Sequence, residues 1–189
     1  MDIEKFTQGP TIEDPKKLIV ELATEEYWKT YKELKFLAIS GKDKEMMGST
    51  PEQIIEAQAR SEQEWKNDLS GEDIFVELVF NGSEGVGMAR AIKKDEDTGL
   101  WYIDSVYVKE GKDLRNKDIG KNIYTFILEE IKKRGGKKVF LGIKFENAPS
   151  IHVAESFGFK KIGKNEDLSD GGYYFELDLT TKPKDVPLK

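Results

Sequence analysis

The apolar positions of the chain repeat first at helical spacing, then at strand spacing, and then switch between the two. Residues 17–22 (Lys-Leu-Ile-Val-Glu-Leu) form a short apolar run that predicts a strand. Thr24 precedes Glu25 and Glu26, acids suited to a first helical turn, and Trp28, Tyr31, Leu34 and Ala38 follow at helical spacing. Residues 41–48 are polar and predict a mobile connection. Thr50-Pro51-Glu52-Gln53 sets a capping residue before a first-turn proline and predicts a second helix running to about Lys66.

The period changes at Ile74. Residues 74–80 read as a largely buried strand, Asn81-Gly82 as a hairpin turn and residues 86–92 as the returning strand. A second turn over 95–99 leads to a third strand over 100–108, so an antiparallel meander is predicted. After a polar loop at 109–117, Ile119, Ile123, Ile127 and Ile131 recur every four residues, the signature of a helix with one apolar face. Arg134-Gly135-Gly136 ends it. A strand over 139–143, a short helix over 148–157, a strand from Phe159 and a last strand over 173–179 complete the order βαα–βββ–α–β–α–ββ, a mixed α/β layer fold. Residues 1–16 read as a lead-in, 17–179 as one domain and 180–189, with two prolines and three lysines, as a flexible tail.

Composition narrows the chemistry. A chain of 189 residues buries enough surface to fold without staples. It has no cysteine, which rules out thiolate catalysis, disulfides and cysteine-bound zinc and fits a reducing, cytoplasmic setting. His152 is the only histidine, so a multi-histidine metal centre is not expected, and a packing or surface role is expected for His152 itself. The 36 acidic residues against 30 basic ones give a net charge of −6, which argues against duplex nucleic acid as a partner and tilts weakly towards a cationic one. No apolar run approaches the ~20 residues that cross a bilayer, and the polar N-terminus lacks the layout of a secretory signal.

The informative unit runs strand, loop, helix. Val106-Tyr107-Val108 leads into Arg115-Asn116-Lys117-Asp118-Ile119-Gly120-Lys121, which opens the isoleucine helix. A helix head carries unpaired N–H groups and about half a positive charge, a natural seat for phosphate. Gly120 lets the backbone approach closely, and Arg115, Lys117 and Lys121 add cations. It is neither a Walker A loop nor a dinucleotide fingerprint, and taken alone it also fits an ordinary turn with solvated lysines.

A second element decides between these readings. Asn147-Ala148-Pro149-Ser150-Ile151-His152-Val153-Ala154-Glu155-Ser156-Phe157-Gly158-Phe159 is a strand exit, a helix and a glycine–aromatic stop. The two elements together resemble the GNAT superfamily of N-acetyltransferases, with its Arg/Gln-x-x-Gly-x-Gly/Ala loop and its Asn-x-x-Ala-x-x-x-Tyr-x-x-x-Gly-Phe helix. The resemblance spans about residues 74–179, with the two N-terminal helices in the family's order. It implies a mostly antiparallel sheet of about seven strands with one splayed parallel pair, flanked by about four helices. It further implies acetyl-CoA as co-substrate, a primary amine of a small molecule or peptide as acceptor, and no metal.

Residue by residue, the resemblance implies that main-chain groups of the Val106–Tyr107–Val108 strand hold the thioester and pantetheine. Amides from Arg115 through Asn116, Lys117, Asp118 and Ile119 to Gly120, with Lys121 beside them, would wrap the diphosphate, and Asn147 would touch the pantetheine arm. The chain departs from the family at three positions. Asp118 stands where glycine is frequent, though aspartate tolerates left-handed backbone. Ala154 replaces the tyrosine that commonly protonates the departing thiolate, and Gly142 replaces the frequent glutamate base.

With both usual groups absent, Asp104 is the candidate base. Strict alternation along the strand would put it on one face with Val106 and Val108. Tyr173, Tyr174 and Ser156 are candidate acids, and Glu77 a candidate for the acceptor cleft. The acceptor end is expected near Met46-Met47 and residues 165–172. A homodimer paired through an exposed edge such as the last strand is possible on this reading. The alternative to an enzyme is a GNAT-fold module that binds acyl-CoA and catalyses little.

Overall fold

The computed structural model describes residues 18–41, 44–47, 49–111, 114, 118–166, 168 and 171–181, with the side chain of Met46 outside the description. The lead-in at 1–16 and the tail from 182 onward therefore lie outside the described residues. Strands β1 (Leu18–Leu22), β2 (Ile74–Asn81), β3 (Glu84–Asp95), β4 (Leu100–Val108), β5 (Lys138–Lys144), β6 (Lys160–Asn165) and β7 (Gly172–Asp178) build one sheet in the order β1-β2-β3-β4-β5-β7-β6. Every neighbouring pair is antiparallel except β4 and β5. The meander and the mixed sheet match the expectation. The last strand does not offer a subunit edge, because β7 lies between β5 and β6, and the edges are β1 and β6.

The helices cover both faces. Helices α1 (Trp28–Ser40), α3 (Pro51–Ala59) and α4 (Glu62–Ser70) close one core around Tyr31, Leu34, Trp65, Val76, Leu78, Met88 and Tyr107. Helix α5 (Ile119–Lys133) closes the other, burying Ile119, Ile123, Ile127 and Ile131 against Phe75, Val79, Ala89, Trp101 and Ile103. Helix α6 (Ala148–Ser156) adds Ala154 to this second core. The four-residue recurrence of isoleucine is thus the buried stripe of α5.

Two helical expectations need correction. The helix predicted from Pro51 to Lys66 is two helices, because Arg60 adopts extended backbone (ψ 131) and Ser61 caps a new start. Ser61 and Glu64 form a reciprocal capping box, as Thr50 and Gln53 do one helix earlier. The segment read as a polar connection at 41–48 holds a one-turn helix, α2 (Lys44–Met47).

Strand β4 carries the feature that shapes everything near the site. Arg90 pairs with Ser105 and Ala91 with Ile103, so Asp104 is an extra residue facing no partner on β3. A bulge of this kind reverses the alternation beyond it. Trp101 and Ile103 point into the α5 core; past the bulge Val106 and Val108 pack there, while Tyr107 turns to the α1 side.

Glu77 is a second departure. It pairs with Ala89 between Phe75 and Val79, so it faces the α5 core; it is 0% exposed and lines no cleft. Both its carboxyl oxygens lack hydrogen-bond partners among the described residues. Burial pushes its pKa from 4.5 up to about 9. The folded state therefore keeps a proton that the unfolded chain releases between those values, and stability falls as pH rises from 4.5 towards 9. The penalty reaches roughly 3 kcal/mol at neutral pH. Glu77→Leu should raise the melting temperature, and by more at pH 8 than at pH 5. Equal melting temperatures for mutant and wild type at both pH values would show that this carboxyl is not buried unpaired.

Candidate active site

Pairing between β4 and β5 is limited to Leu100–Ile103 against Lys138–Leu141. Both strands continue past that point without meeting, β4 to Val108 and β5 to Lys144. The edge of β4 that faces β5 beyond Ile103 therefore has no strand partner, and its main-chain groups border an open gap.

Two clefts occupy this gap. The broader one, about 340 Å³, is lined by Val106, Tyr107, Val108, Glu110, Gly120, Asn147, Pro149 and Val153. The narrower one is lined by Tyr102, Asp104, Ser105, Gly142, Lys144 and Leu168. Met47, Val106, Tyr124, Asn147 and Ser150 border both, so the clefts join at these residues.

The head of α5 opens onto the broader cleft. Asp118 takes the N-cap position in the left-handed conformation (φ 49, ψ 30), the only non-glycine residue with positive φ among those described. Its side chain does not cap the helix; it pairs at the surface with Lys121 at 3.1 Å. The first helical bond runs from the Asn122 amide to the Asp118 carbonyl at 2.9 Å. The amides of Ile119, Gly120 and Lys121 thus have no helical acceptor among the described residues, as at any helix head. Gly120 has nothing within 4 Å of where a Cβ would stand, so its backbone is laid bare to the cleft. Open amides, a bare α-carbon and the positive end of a helix dipole fit a diphosphate. Arg115, Asn116 and Lys117 lie outside the described residues.

Asn147 caps α6, its side chain accepting from the Ser150 amide at 3.2 Å. That cap fixes the residue at the junction of the clefts. Val106 and Val108 border the broader cleft from β4, and Tyr107 lines it from a strand whose ring side packs under α1.

Asp104 does line the narrower cleft, but not on the face of Val106 and Val108. Alternation from Ile103 turns it towards the α1 and α4 side, and the bulge sends Val106 and Val108 to the other face; its Oδ2 accepts from Arg90 Nη1 at 2.6 Å. Its other oxygen, Oδ1, is buried with no hydrogen-bond partner among the described residues. Arg90 also lies 3.5 Å from Asp68, which accepts from Tyr31 at 3.0 Å and from Arg60 at 2.9 Å. Beside this cluster Lys35 Nζ donates to Ser105 Oγ. Burial holds the Lys35 pKa below the usual lysine range despite the attraction of Asp104, and burial likewise raises that of Tyr31.

The two substituted positions are filled in different ways. Ala154 is fully buried. A side chain at Gly142 would collide with the Asn165 amide and come within 3.2 Å of the Tyr102 hydroxyl, so these two groups occupy the space a glutamate would need.

The other candidate acids lie elsewhere. Tyr173 packs edge-on to Phe145 at 4.6 Å beneath the Lys161 amine, and neither it nor Tyr174 borders either of these two clefts. Ser156 donates to its own helix at the Val153 carbonyl, and His152 is exposed on α6. Met47 borders both clefts and Leu168 the narrower one. The structure adds Tyr102, Ser105 and Tyr124, which the sequence did not single out. For Tyr124 the available signal was its place one helical turn after Gly120.

A mixed sheet with one splayed parallel pair, and a helix head opening on the gap, is the architecture that the resemblance to the GNAT superfamily implied. The chain belongs to the acetyltransferase (GNAT) family, whose model matches residues 26–159, and acetyl-CoA is its co-substrate. Among curated proteins none matches the chain. Solved structures share the fold. PaiA N-acetyltransferase from Thermoplasma acidophilum, in complex with coenzyme A, is 16% identical with a TM-score of 0.65, over 86% of this chain and 99% of that one. Aminoglycoside 6'-acetyltransferase type Ii is 18% identical with a TM-score of 0.65, over 87% and 99%. The ribosomal-protein-alanine N-acetyltransferase from Brucella melitensis is 20% identical with a TM-score of 0.67, over 85% and 99%. Among the described residues no helix is long and apolar enough to cross a membrane, and no cluster of three or more possible metal ligands occurs.

Proposed function

We propose that the protein transfers an acetyl group from acetyl-CoA to a primary amine carried by a small molecule or peptide. The observation that carries this reading is the joined pair of clefts, which runs from the open head of α5 along the unpaired edge of β4 to the bulge at Asp104. The thioester supplies an activated acyl group; the chain's own residues supply position and proton handling. In this reading the amides of Ile119, Gly120 and Lys121, with Asp118 turning the backbone and Arg115, Asn116 and Lys117 preceding it, hold the diphosphate. Main-chain groups of Val106, Tyr107 and Val108 and the side chain of Asn147 hold the arm.

The acceptor enters from the narrower cleft past Met47 and Leu168. Asp104 is assigned as the base. Arg90 fixes one of its oxygens, and the free Oδ1 is left to take a proton from the incoming ammonium, directly or through water. The net charge of −6 favours a cationic acceptor. The relatives named above include enzymes of aminoglycosides and of ribosomal-protein alanine, which fits a fold whose acceptor is set by loops. The buried Ala154 and the crowded Gly142 favour one second reading, a CoA-binding module with little turnover.

Two measurements test the proposal. Gly120→Ala should leave the melting temperature unchanged or higher, since its Cβ meets nothing and alanine favours helix. It should weaken CoA binding about tenfold by calorimetry, through lost approach to the phosphates. Undiminished affinity would remove the diphosphate from the α5 head. Asp104→Asn should lower kcat by about 10²-fold with CoA affinity intact, assayed by thiol release over polyamines, aminoglycosides, amino acids and peptides. Unchanged turnover would remove Asp104 as the base, and CoA binding without turnover of any amine would favour the binding module.

A further inference from the structure

Tyr124 is the one phenol that borders both clefts. It stands on α5 one turn beyond Gly120, at the junction it shares with Met47, Val106, Asn147 and Ser150. Its ring is held on two sides, stacked on Phe157 at 5.4 Å and edge-on to Phe159 at 6.0 Å. The residue is 4% exposed; its hydroxyl makes no hydrogen bond among the described residues and is not one of the sealed polar atoms that lack a partner, so the oxygen opens on the cleft. A ring fixed on two sides, with an unengaged O–H at the meeting point of two clefts, is placed to donate to a ligand atom there.

The neighbouring groups narrow which atom. Asn147 is engaged as the α6 cap, and Ser150 gives its amide to that cap. Asp104, the bulge residue, borders the narrower cleft only. Ala154, on the facing helix, offers no polar atom. Burial holds the Tyr124 hydroxyl above the ordinary tyrosine range, so it is a proton donor throughout the neutral and mildly alkaline range.

We infer that the Tyr124 hydroxyl is the hydrogen-bond donor to the thioester sulfur and the acid that protonates it on departure. This rests on the acetyl-transfer reading above. The amine nitrogen forms its bond to the carbonyl carbon, the carbon–sulfur bond breaks with its electron pair going to sulfur, and the Tyr124 proton passes to that sulfur. The phenolate regains a proton from the N–H of the newly acylated nitrogen through water. The sum is one amine and one thioester giving one amide and one thiol.

The test uses Tyr124→Phe, which keeps both ring contacts, with the melting temperature as a check on folding. Turnover should fall about 10²-fold, the ordinary scale of a lost general acid. A second readout needs no turnover: binding of CoA and of desulfo-CoA, compared by calorimetry at alkaline pH. The wild type should prefer CoA about tenfold, as for a hydrogen bond to a charged sulfur, and the mutant should lose that preference. Equal weakening of both ligands would assign the hydroxyl to the arm instead and overturn the proposal, as would unchanged turnover with an unchanged preference. A wild type that binds neither ligand overturns the CoA reading and this one together. A mutant that loses the preference in a protein acetylating no amine in the panel supports the contact with sulfur, while the acceptor assignment falls.

Discussion

One additional residue in β4 sets the geometry of the site. Asp104 has no partner on β3, and the strand twists where it is inserted. Pairing with β5 ends one residue earlier, at Ile103. From that point two parallel strands diverge, a backbone edge is left without partners, and the side chains beyond change faces. A regular β4 would continue its ladder along β5 and close the gap. The cleft, its open edge and the separation of Asp104 from the face of Val106 and Val108 all meet at this single irregularity.

The bulge is held by charge. Arg90 on β3 grips Asp104 and reaches Asp68 on α4, which in turn receives Arg60 and Tyr31. Two carboxylates and two guanidinium groups balance, so a partly buried network can persist where any one member left alone would be costly. Lys35 sits beside them on α1, its Nζ donating to Ser105 Oγ, and burial lowers its pKa against the pull of Asp104. Arg60 also lies over the Trp65 ring at 4.2 Å, so the break between α3 and α4 is tied to the same set of contacts. The N-terminal helices thereby brace the strand that borders the cleft.

Much of this was legible in the amino-acid order. The meander, the isoleucine face of α5 and the glycine–aromatic stop after α6 were readable because period, capping and turn chemistry are local. The bulge was not, since Leu-Trp-Tyr-Ile-Asp-Ser-Val-Tyr-Val alternates plausibly in either register and only the partner strand reveals the extra residue. Strict alternation therefore sets Asp104 on one face with Val106 and Val108, and the bulge separates them. The break at Arg60 was missed although Ser61 and Glu64 announce it, because the apolar period runs on through the gap. Tyr124 stayed hidden for a different reason: its place on a buried helical stripe reads as packing, and only the meeting of two clefts gives its hydroxyl something to face.

Everything in this reading turns on the gap beside the bulge receiving the coenzyme. A crystal structure of the protein with coenzyme A measures this most directly. The account predicts diphosphate oxygens on the amides of Ile119, Gly120 and Lys121, and the pantetheine arm lying along the unpaired edge of β4. A coenzyme seated outside this gap, or a β4 edge that closes onto β5 in its presence, would contradict it.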